Sequence, residues 1–227
     1  NSGLVIYLDM LTFSCSQLLI AGYDVNEYAA SYSAIASQSF FFAAVTACIQ
    51  PATSYLGNAV GGGSIAKTRI YWDVSNKMIL VVSIILSLGV LCFSSSLAKL
   101  YLDDPEIAGL AQKILILYGA TMTFDVHQMY FSSVARVFGK EKTAFVALIL
   151  FDFVVGMSLA VIIGLVFRFG ALGVWAGMMT GVVMNAFAQY KIISGVDIRT
   201  FLRQTQQRLK QEDAGKKQEK LIEMHDF

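Results

Sequence analysis

The sequence has few charged residues and few cysteines. Charged residues make up 15% of its 227 residues, against roughly 25% in a typical soluble domain. Hydrophobic residues make up 56%, and we infer that lipid surrounds most of the chain. The net charge of +1 also argues against a nucleic-acid partner, because the chain as a whole lacks a strongly basic character.

The sequence also lacks the common catalytic and metal-binding motifs of enzymes. Cys15, Cys48 and Cys92 are too scattered for a disulfide framework or a metal cluster. The sequence contains no Ser-His-Asp set and no His/Glu metal spacing. The glycine-rich stretch 57–69 does not end in the Gly-Lys-Ser/Thr of a phosphate loop, and we interpret it as a flexible turn at the membrane surface. We therefore expect no enzyme activity, no cofactor and no metal site.

What the sequence does contain is a series of long apolar runs. About 20 apolar residues cross the core of a bilayer as a helix, and the runs predict six such spans. The predicted spans are 4–21, 28–56, 78–97, 109–139, 143–167 and 172–193. We predict an all-α membrane protein in which residues 1–194 form a six-helix transmembrane lobe and residues 195–227 a charged cytoplasmic tail.

Local signals refine this outline. Asp103 or Asp104, followed by Pro105, predicts the capped start of the fourth span. Pro51 predicts a kink near the end of the second span. A weak helical stripe at the start of the tail predicts a surface helix there. The residues of this stripe are Ile198, Phe201, Leu202 and Leu209.

Basic residues predict the orientation of the spans. With six spans, fourteen of the 17 Lys and Arg residues fall on the side that holds both termini. The other three are Lys99, Lys113 and Arg168. Because Lys and Arg accumulate on the cytoplasmic side, we expect both termini in the cytoplasm. The chain begins almost inside its first apolar run and without an initiator Met, so we expect a fragment or one half of a larger protein.

Three acids lie inside the predicted spans, namely Asp9, Asp125 and Asp152. A charged residue in mid-membrane costs about 2.5–3.5 kcal/mol on insertion scales, so each must face water, a partner or the bundle interior. Burial disfavours the charged form of a carboxyl group, and each of these acids could therefore bind a proton. A proton and a cation that compete for one carboxylate form a simple antiport device.

Asp125 lies near the middle of the fourth span, on a polar stripe along one helix face. The stripe consists of Thr121, Asp125, Gln128, Ser132 and Arg136. It predicts an ion or substrate pathway, with Thr121, Asp125, Gln128 and Asp9 as candidate ligands. The alternative is a buried acid whose hydrogen bonds hold the helices in register, and Asp9 has the further alternative of lying at the membrane interface.

Asp152 and His127 are secondary candidates. Asp152 lies within three turns of Lys142, so an interfacial structural pair competes with an ion-binding role. His127 is two residues from Asp125 and points to a nearly opposite helix face. This position favours a structural histidine over a proton relay.

Several motifs in order along the chain resemble the C-terminal six-helix lobe of the multidrug and toxic compound extrusion (MATE) family. These motifs are LGNAVGGG at 56–63 followed by Ala66 and Arg69, Phe124-Asp125 followed by Arg136 and Gly139, ALGVWAG at 171–177, and the pairs Ala21-Gly22 and Ala29-Ala30. The resemblance covers nearly everything from Leu8 to Lys191.

The resemblance implies one lobe of a twelve-helix transporter with cytoplasmic termini and a central cavity. It implies export of organic cations and xenobiotics in exchange for protons or sodium, from the plasma membrane or a vacuolar or other endomembrane. The implied partners are the lipid bilayer, a small organic cation and an N-terminal six-helix lobe. Asp125 stands where the family has a cavity glutamate, and Asp9 resembles a glutamate of its seventh helix.

One segment departs from the family pattern. The family's Tyr-Tyr-x-x-Gly-x-Pro appears here as DFVVGMS at 152–158, with an acid in place of the first tyrosine and no proline. Two other functions remain open. A lipid-linked oligosaccharide flippase of the same superfamily would need a cationic cavity, whereas acids outnumber bases in the centre of these spans. A non-transporting membrane interaction module would use the basic tail to bind lipid or partners.

Overall fold

The computed structural model describes residues 2–22 and 24–207, with side chains from residue 11 onward. All regular structure within these ranges is helical. The six long helices are α1 (Ser2–Ala21), α2 (Val25–Gly61), α3 (Ile65–Tyr101), α4 (Pro105–Val137), α5 (Glu141–Val166) and α6 (Gly170–Ser194). The described part of a further helix, α7, covers residues 198–207. The predicted all-α, six-helix bundle is confirmed.

Helices α2 to α6 are each long and apolar enough to cross a membrane. In α1 the described side chains form a shorter apolar stretch, Leu11–Ala21. Helices α2 and α3 have 37 residues each, which corresponds to about 55 Å. The hydrocarbon core is roughly 30 Å thick, so both helices reach beyond it.

Short connections join the helices. The connections 62–64, 102–104, 138–140 and 167–169 have three residues each, and such short links place consecutive helices side by side and antiparallel. The Asp104 carboxylate accepts a hydrogen bond from the Glu106 amide (2.8 Å) at the start of α4, and Pro105 is the first residue of that helix. This cap confirms one of the two predicted capping residues.

The glycine-rich stretch 57–69 contains a turn at residues 62–64, as predicted, and is helical on both sides of it. The last turn of α2 runs to Gly61 and α3 begins at Ile65. Gly63 has a φ of 68°, a left-handed conformation that glycine adopts without steric cost. This conformation lets the chain reverse within three residues. Helix α2 also continues through Pro51, and its predicted kink stays a prediction.

Helix α4 lies at the centre of the bundle, where it packs against α2, α3 and α6. Helix α6 packs along the whole length of α5. The buried side chains include Trp175 of α6 and Tyr130 of α4. The central position of α4 matters for the site, because it is the helix that carries Asp125 and Gln128.

The start of the predicted tail packs against the bundle. Leu202 is buried in the hydrophobic core, and the ring of Phe201 lies 5.5 Å from that of Phe138. Gln206 Nε2 donates to the carbonyl oxygen of Gly61 (2.9 Å). Helix α7 therefore lies over both the α2–α3 and the α4–α5 connection. The domain boundary at residue 194 stays a prediction, and Leu209 lies outside the described residues.

Candidate functional site

Asp152 of α5 is buried between three helices and is held by two amide side chains. Its carboxylate oxygen Oδ2 accepts a hydrogen bond from Gln128 Nε2 of α4 (2.9 Å) and another from Asn185 Nδ2 of α6 (2.8 Å). The exposed fractions are 4% for Asp152, 3% for Gln128 and 0% for Asn185. The Asp152 side chain therefore lies in the bundle interior, whereas Lys142 is exposed, and the predicted interfacial pair of the two residues stays a prediction.

The local structure of α5 explains how Asp152 reaches this position. The segment Ile149–Gly156 is π-helical, a conformation that occurs mostly at single turns and often at functional sites. Next to it α5 and α6 are in backbone contact, since a Cβ built on Gly181 would lie 2.6 Å from the Phe151 carbonyl oxygen. Asn185 follows Gly181 by four residues, on the same helix face. The close contact of the two helices thus brings the Asn185 amide to Asp152.

Asp125 lies three residues before Gln128 on α4, where side chains at this spacing are neighbours. It is half-buried and close enough to Tyr118 to interact with it electrostatically. Over 121–135, all residues of α4 are buried or half-buried. Asp125 therefore lies, half-buried, in an enclosed part of the lobe.

The residues of the predicted polar stripe of α4 have different surroundings. Thr121 is half-buried and donates to carbonyl oxygens of its own helix, those of Leu117 (3.0 Å) and Tyr118 (3.2 Å). Gln128 is buried against Asp152, whereas Arg136 is exposed and donates to Ser133 Oγ (2.7 Å). The stripe therefore runs from the bundle interior to the protein surface.

His127 bonds within its own helix, and the side chain of Asp9 is not among those that the structure describes. His127 Nδ1 donates to the Thr123 carbonyl oxygen (2.7 Å) of its own helix, and its ring lies 5.6 Å from that of Phe131. Asp9 belongs to α1. The ligand roles predicted for these two residues and for Thr121, Asp125 and Gln128 stay predictions.

The sequence analysis missed Asn185, although α6 contains a signal for it. Small and then polar residues recur every four positions on one face of this helix. They are Gly173, Gly177, Gly181, Asn185 and Gln189. Gln189 is fully buried and donates to the Ala144 carbonyl oxygen (3.0 Å). A polar residue that continues a glycine stripe will face the helix against which that stripe packs.

A bundle of long apolar helices with acids such as Asp125 and Asp152 enclosed among them belongs to the class of polytopic membrane proteins. The family model described as MatE matches residues 4–162. The chain therefore belongs to the MATE family.

Relatives support this assignment at low identity. A probable multidrug resistance protein NorM from Geobacillus kaustophilus is 23% identical over 184 residues, which cover 81% of this chain and 40% of the relative. Protein DETOXIFICATION 24 from Arabidopsis thaliana is 24% identical over 92% of this chain and 42% of the relative. The chain thus spans about two fifths of the length of these relatives.

Solved structures show the same fold. The eukaryotic MATE transporter AtDTX14 superimposes with a TM-score of 0.84 at 18% identity, over 90% of this chain and 46% of that one. The Vibrio cholerae MATE transporter VcmN in its bent form gives a TM-score of 0.74 at 19% identity, over 89% and 44% of the two chains. The predicted resemblance to one lobe of this family is confirmed.

Proposed function

We propose that this chain is one lobe of a secondary antiporter that exports organic cations or xenobiotics in exchange for protons or sodium. The relatives it matches carry names of multidrug resistance and detoxification proteins. In the proposal a second six-helix lobe completes the transporter, both termini lie in the cytoplasm, and the substrate binds between the lobes. Transporters built from such repeats bind their substrates near the repeat interface.

The position of Asp125 carries this proposal. Its carboxyl group is half-buried in a part of α4 in which residues 121–135 are all buried or half-buried. An acid that faced the acyl chains would lie on an exposed face of its helix and would carry the full insertion cost. A partly enclosed acid instead suits a site that is open to a water-filled cavity between two lobes.

Competition between a proton and the organic cation at Asp125 would couple the flux of protons to that of the substrate. A proton neutralises the carboxyl group, whereas an organic cation binds its ionised form, so each ligand displaces the other. To shift the equilibrium between two arrangements of the lobes from 1:99 to 99:1, a ligand must bind one arrangement more strongly than the other by about 5.5 kcal/mol. Binding to a half-buried carboxylate would supply part of this difference, because electrostatic interactions are stronger there than in bulk water.

The test is Asp125→Asn in the complete two-lobe protein, reconstituted in proteoliposomes. We expect loss of the exchange of an organic cation against protons or sodium, with unchanged membrane insertion. Asp73→Asn is the matched control, since Asp73 lies in an exposed ion pair with Lys77 and its loss should leave exchange unchanged. Normal exchange by Asp125→Asn would contradict the mechanism.

A further inference from the structure

The two amide groups that hold Asp152 each have a second polar atom. Gln128 and Asn185 direct their NH₂ groups to Asp152 Oδ2. Among the residues that the structure describes, the carbonyl oxygens of these amides, Gln128 Oε1 and Asn185 Oδ1, are buried and have no hydrogen-bond partner. Buried polar atoms in folded proteins nearly always have a partner, so two unpaired oxygens beside one carboxylate require an explanation.

The chemistry of these groups is that of a hard cation site. Carboxylate and amide oxygens are the protein ligands that hard cations such as sodium, magnesium and calcium prefer. Both amide side chains contact the same carboxylate oxygen, so oxygen-bearing side chains of three helices meet in one buried cluster. A cation bound by these side chains would give both amide oxygens a partner.

The single charge of Asp152 and its burial limit which cation could bind. A single carboxylate balances one positive charge, whereas a divalent ion would leave an uncompensated charge in the bundle, which is strongly unfavourable. Asp152 is only 4% exposed, and α5 and α6 are in backbone contact beside it at Phe151 and Gly181. An organic cation has no room here, in contrast to the half-buried Asp125.

We propose that Asp152, Gln128 and Asn185 form a binding site for one dehydrated sodium-type cation, separate from the carboxylate of Asp125. This inference rests on the proposed exchange function and assigns its inorganic cation to a second acid of the same lobe. The binding of the cation orders α4, α5 and α6 around one point. Asp125 is left for the larger organic substrate.

The test is equilibrium binding of radioactive sodium to the purified 227-residue chain at mildly alkaline pH, where carboxyl groups are ionised. We expect saturable binding that unlabelled sodium displaces and magnesium does not. Asp152→Asn should abolish it, while Asp125→Asn and the exposed control Asp73→Asn should retain it. Sodium binding that survives Asp152→Asn, or that is lost with Asp125→Asn alone, would overturn the assignment.

Two further variants keep the test decisive if Asp152→Asn fails to fold. Gln128→Leu and Asn185→Leu each remove one whole amide at similar volume, both its carbonyl oxygen and its hydrogen bond to Asp152, and leave the carboxyl group in place. We expect each to raise the dissociation constant for sodium about tenfold or more. Wild-type affinity in both variants, or no sodium binding by the wild-type chain, would mean that the amide oxygens hold no cation.

A parallel measurement separates this inference from the proposed function. Binding of a fluorescent organic cation is measured in the complete two-lobe protein with the same substitutions. Organic-cation binding that depends on Asp125, without any sodium binding at Asp152, would overturn the cation site alone. Sodium binding at Asp152, with neither binding nor exchange of organic cations, would support the site and overturn the proposed function.

Discussion

Helix α6 meets α5 through glycines, whereas α3 meets α4 through hydroxyl groups and aromatic rings. A Cβ built on Gly177 would lie 2.2 Å from the backbone nitrogen of Ala160. In the other pair, the hydroxyl groups of Ser75 and Tyr130 are 2.5 Å apart, and Trp72 stacks on Tyr130 with a ring distance of 6.0 Å. Side chains can rotate to accommodate a change, but two backbones in contact cannot. The α5–α6 pair should therefore tolerate substitution far less.

The two helix pairs also differ in what surrounds them. The α5–α6 contact holds Asn185 against Asp152, so the candidate cation site depends on a fixed distance between these helices. Helix α3 instead presents a broad apolar face to its surroundings. Its exposed residues include Ile70, Val74, Val81, Ile85, Leu88 and Phe93. A face that contacts lipid needs apolar character and no exact fit.

The largest expected effect comes from Gly177→Ala. The new methyl group would meet three backbone atoms within 2.5 Å, namely the nitrogen and Cα of Ala160 and the carbonyl carbon of Leu159. Because none of these atoms can rotate away, we expect a loss of more than about 3 kcal/mol of stability, at or above the upper end of the usual overpacking cost. Thermal unfolding of the purified protein in detergent measures this loss.

Gly89→Ala in α3 is the matched control. Apart from the backbone of its own helix turn and its two chain neighbours, no described atom lies within 4 Å of a Cβ built on Gly89. Alanine favours a helix over glycine by about 1 kcal/mol. We expect an unchanged or slightly raised melting temperature. Equal melting temperatures for Gly177→Ala and Gly89→Ala would show that the two helix pairs do not differ in the way described above.

An intermediate effect is expected from Ser75→Ala, which tests the polar contact of α3 with α4. Tyr130 is fully buried, and this variant removes the Ser75 partner of its hydroxyl group. A buried polar group that loses its partner costs about 1–3 kcal/mol. The measurement is again thermal unfolding, and we expect a smaller decrease in stability than for Gly177→Ala.

Tyr130→Phe tests whether the cost comes from the unpaired hydroxyl group, because it removes that group itself. Ser75 Oγ keeps its hydrogen bond to the Tyr71 carbonyl oxygen (2.5 Å), so we expect a cost of less than about 1 kcal/mol. The double variant should resemble Tyr130→Phe alone. A double variant that is as unstable as Ser75→Ala would attribute the loss to packing and not to the unpaired hydroxyl group.

The sequence predicted the parts of the structure that depend on local patterns. Apolar runs located the six helices, because a helix that faces lipid must be apolar over about 20 residues. The cap at Asp104 followed from its side-chain chemistry. The glycine and arginine motifs that resemble the MATE family indicated the fold of the whole lobe. Each of these signals can be recognised within a short stretch of sequence.

The arrangement around Asp152 could not be predicted in this way, because it depends on contacts between helices. The charge of Lys142 suggested an interface, but a periodicity of 3.6 residues does not anticipate the π-helical turns of Ile149–Gly156. Asn185 has no distinctive neighbours in the sequence. Its role follows only from the close approach of α6 to α5, which a single sequence indicates through the glycine spacing alone.

The smallest expected effect concerns α7, which lies over the connections that lead into α3 and α5. Asp197 precedes α7, and its carboxylate accepts hydrogen bonds from Thr200 Oγ1 (2.6 Å) and the Arg199 amide (3.1 Å). These bonds lower the pKa of Asp197 below its ordinary value of 3.8. Asp197→Ala should speed hydrogen exchange of the α7 amides and leave the melting temperature of the bundle unchanged.

The pH dependence of this contribution has a definite sign. Because the folded protein favours the ionised form of Asp197, its stabilising effect on α7 is complete above the ordinary pKa of 3.8 and is lost as the pH falls through the lower folded value. Asp197→Asn, which still caps a helix but carries no charge, should lack this dependence. If Asp197→Ala instead lowers the melting temperature as much as Ser75→Ala does, α7 folds as part of the lobe, and the lobe extends beyond residue 194 at least to the end of the described helix.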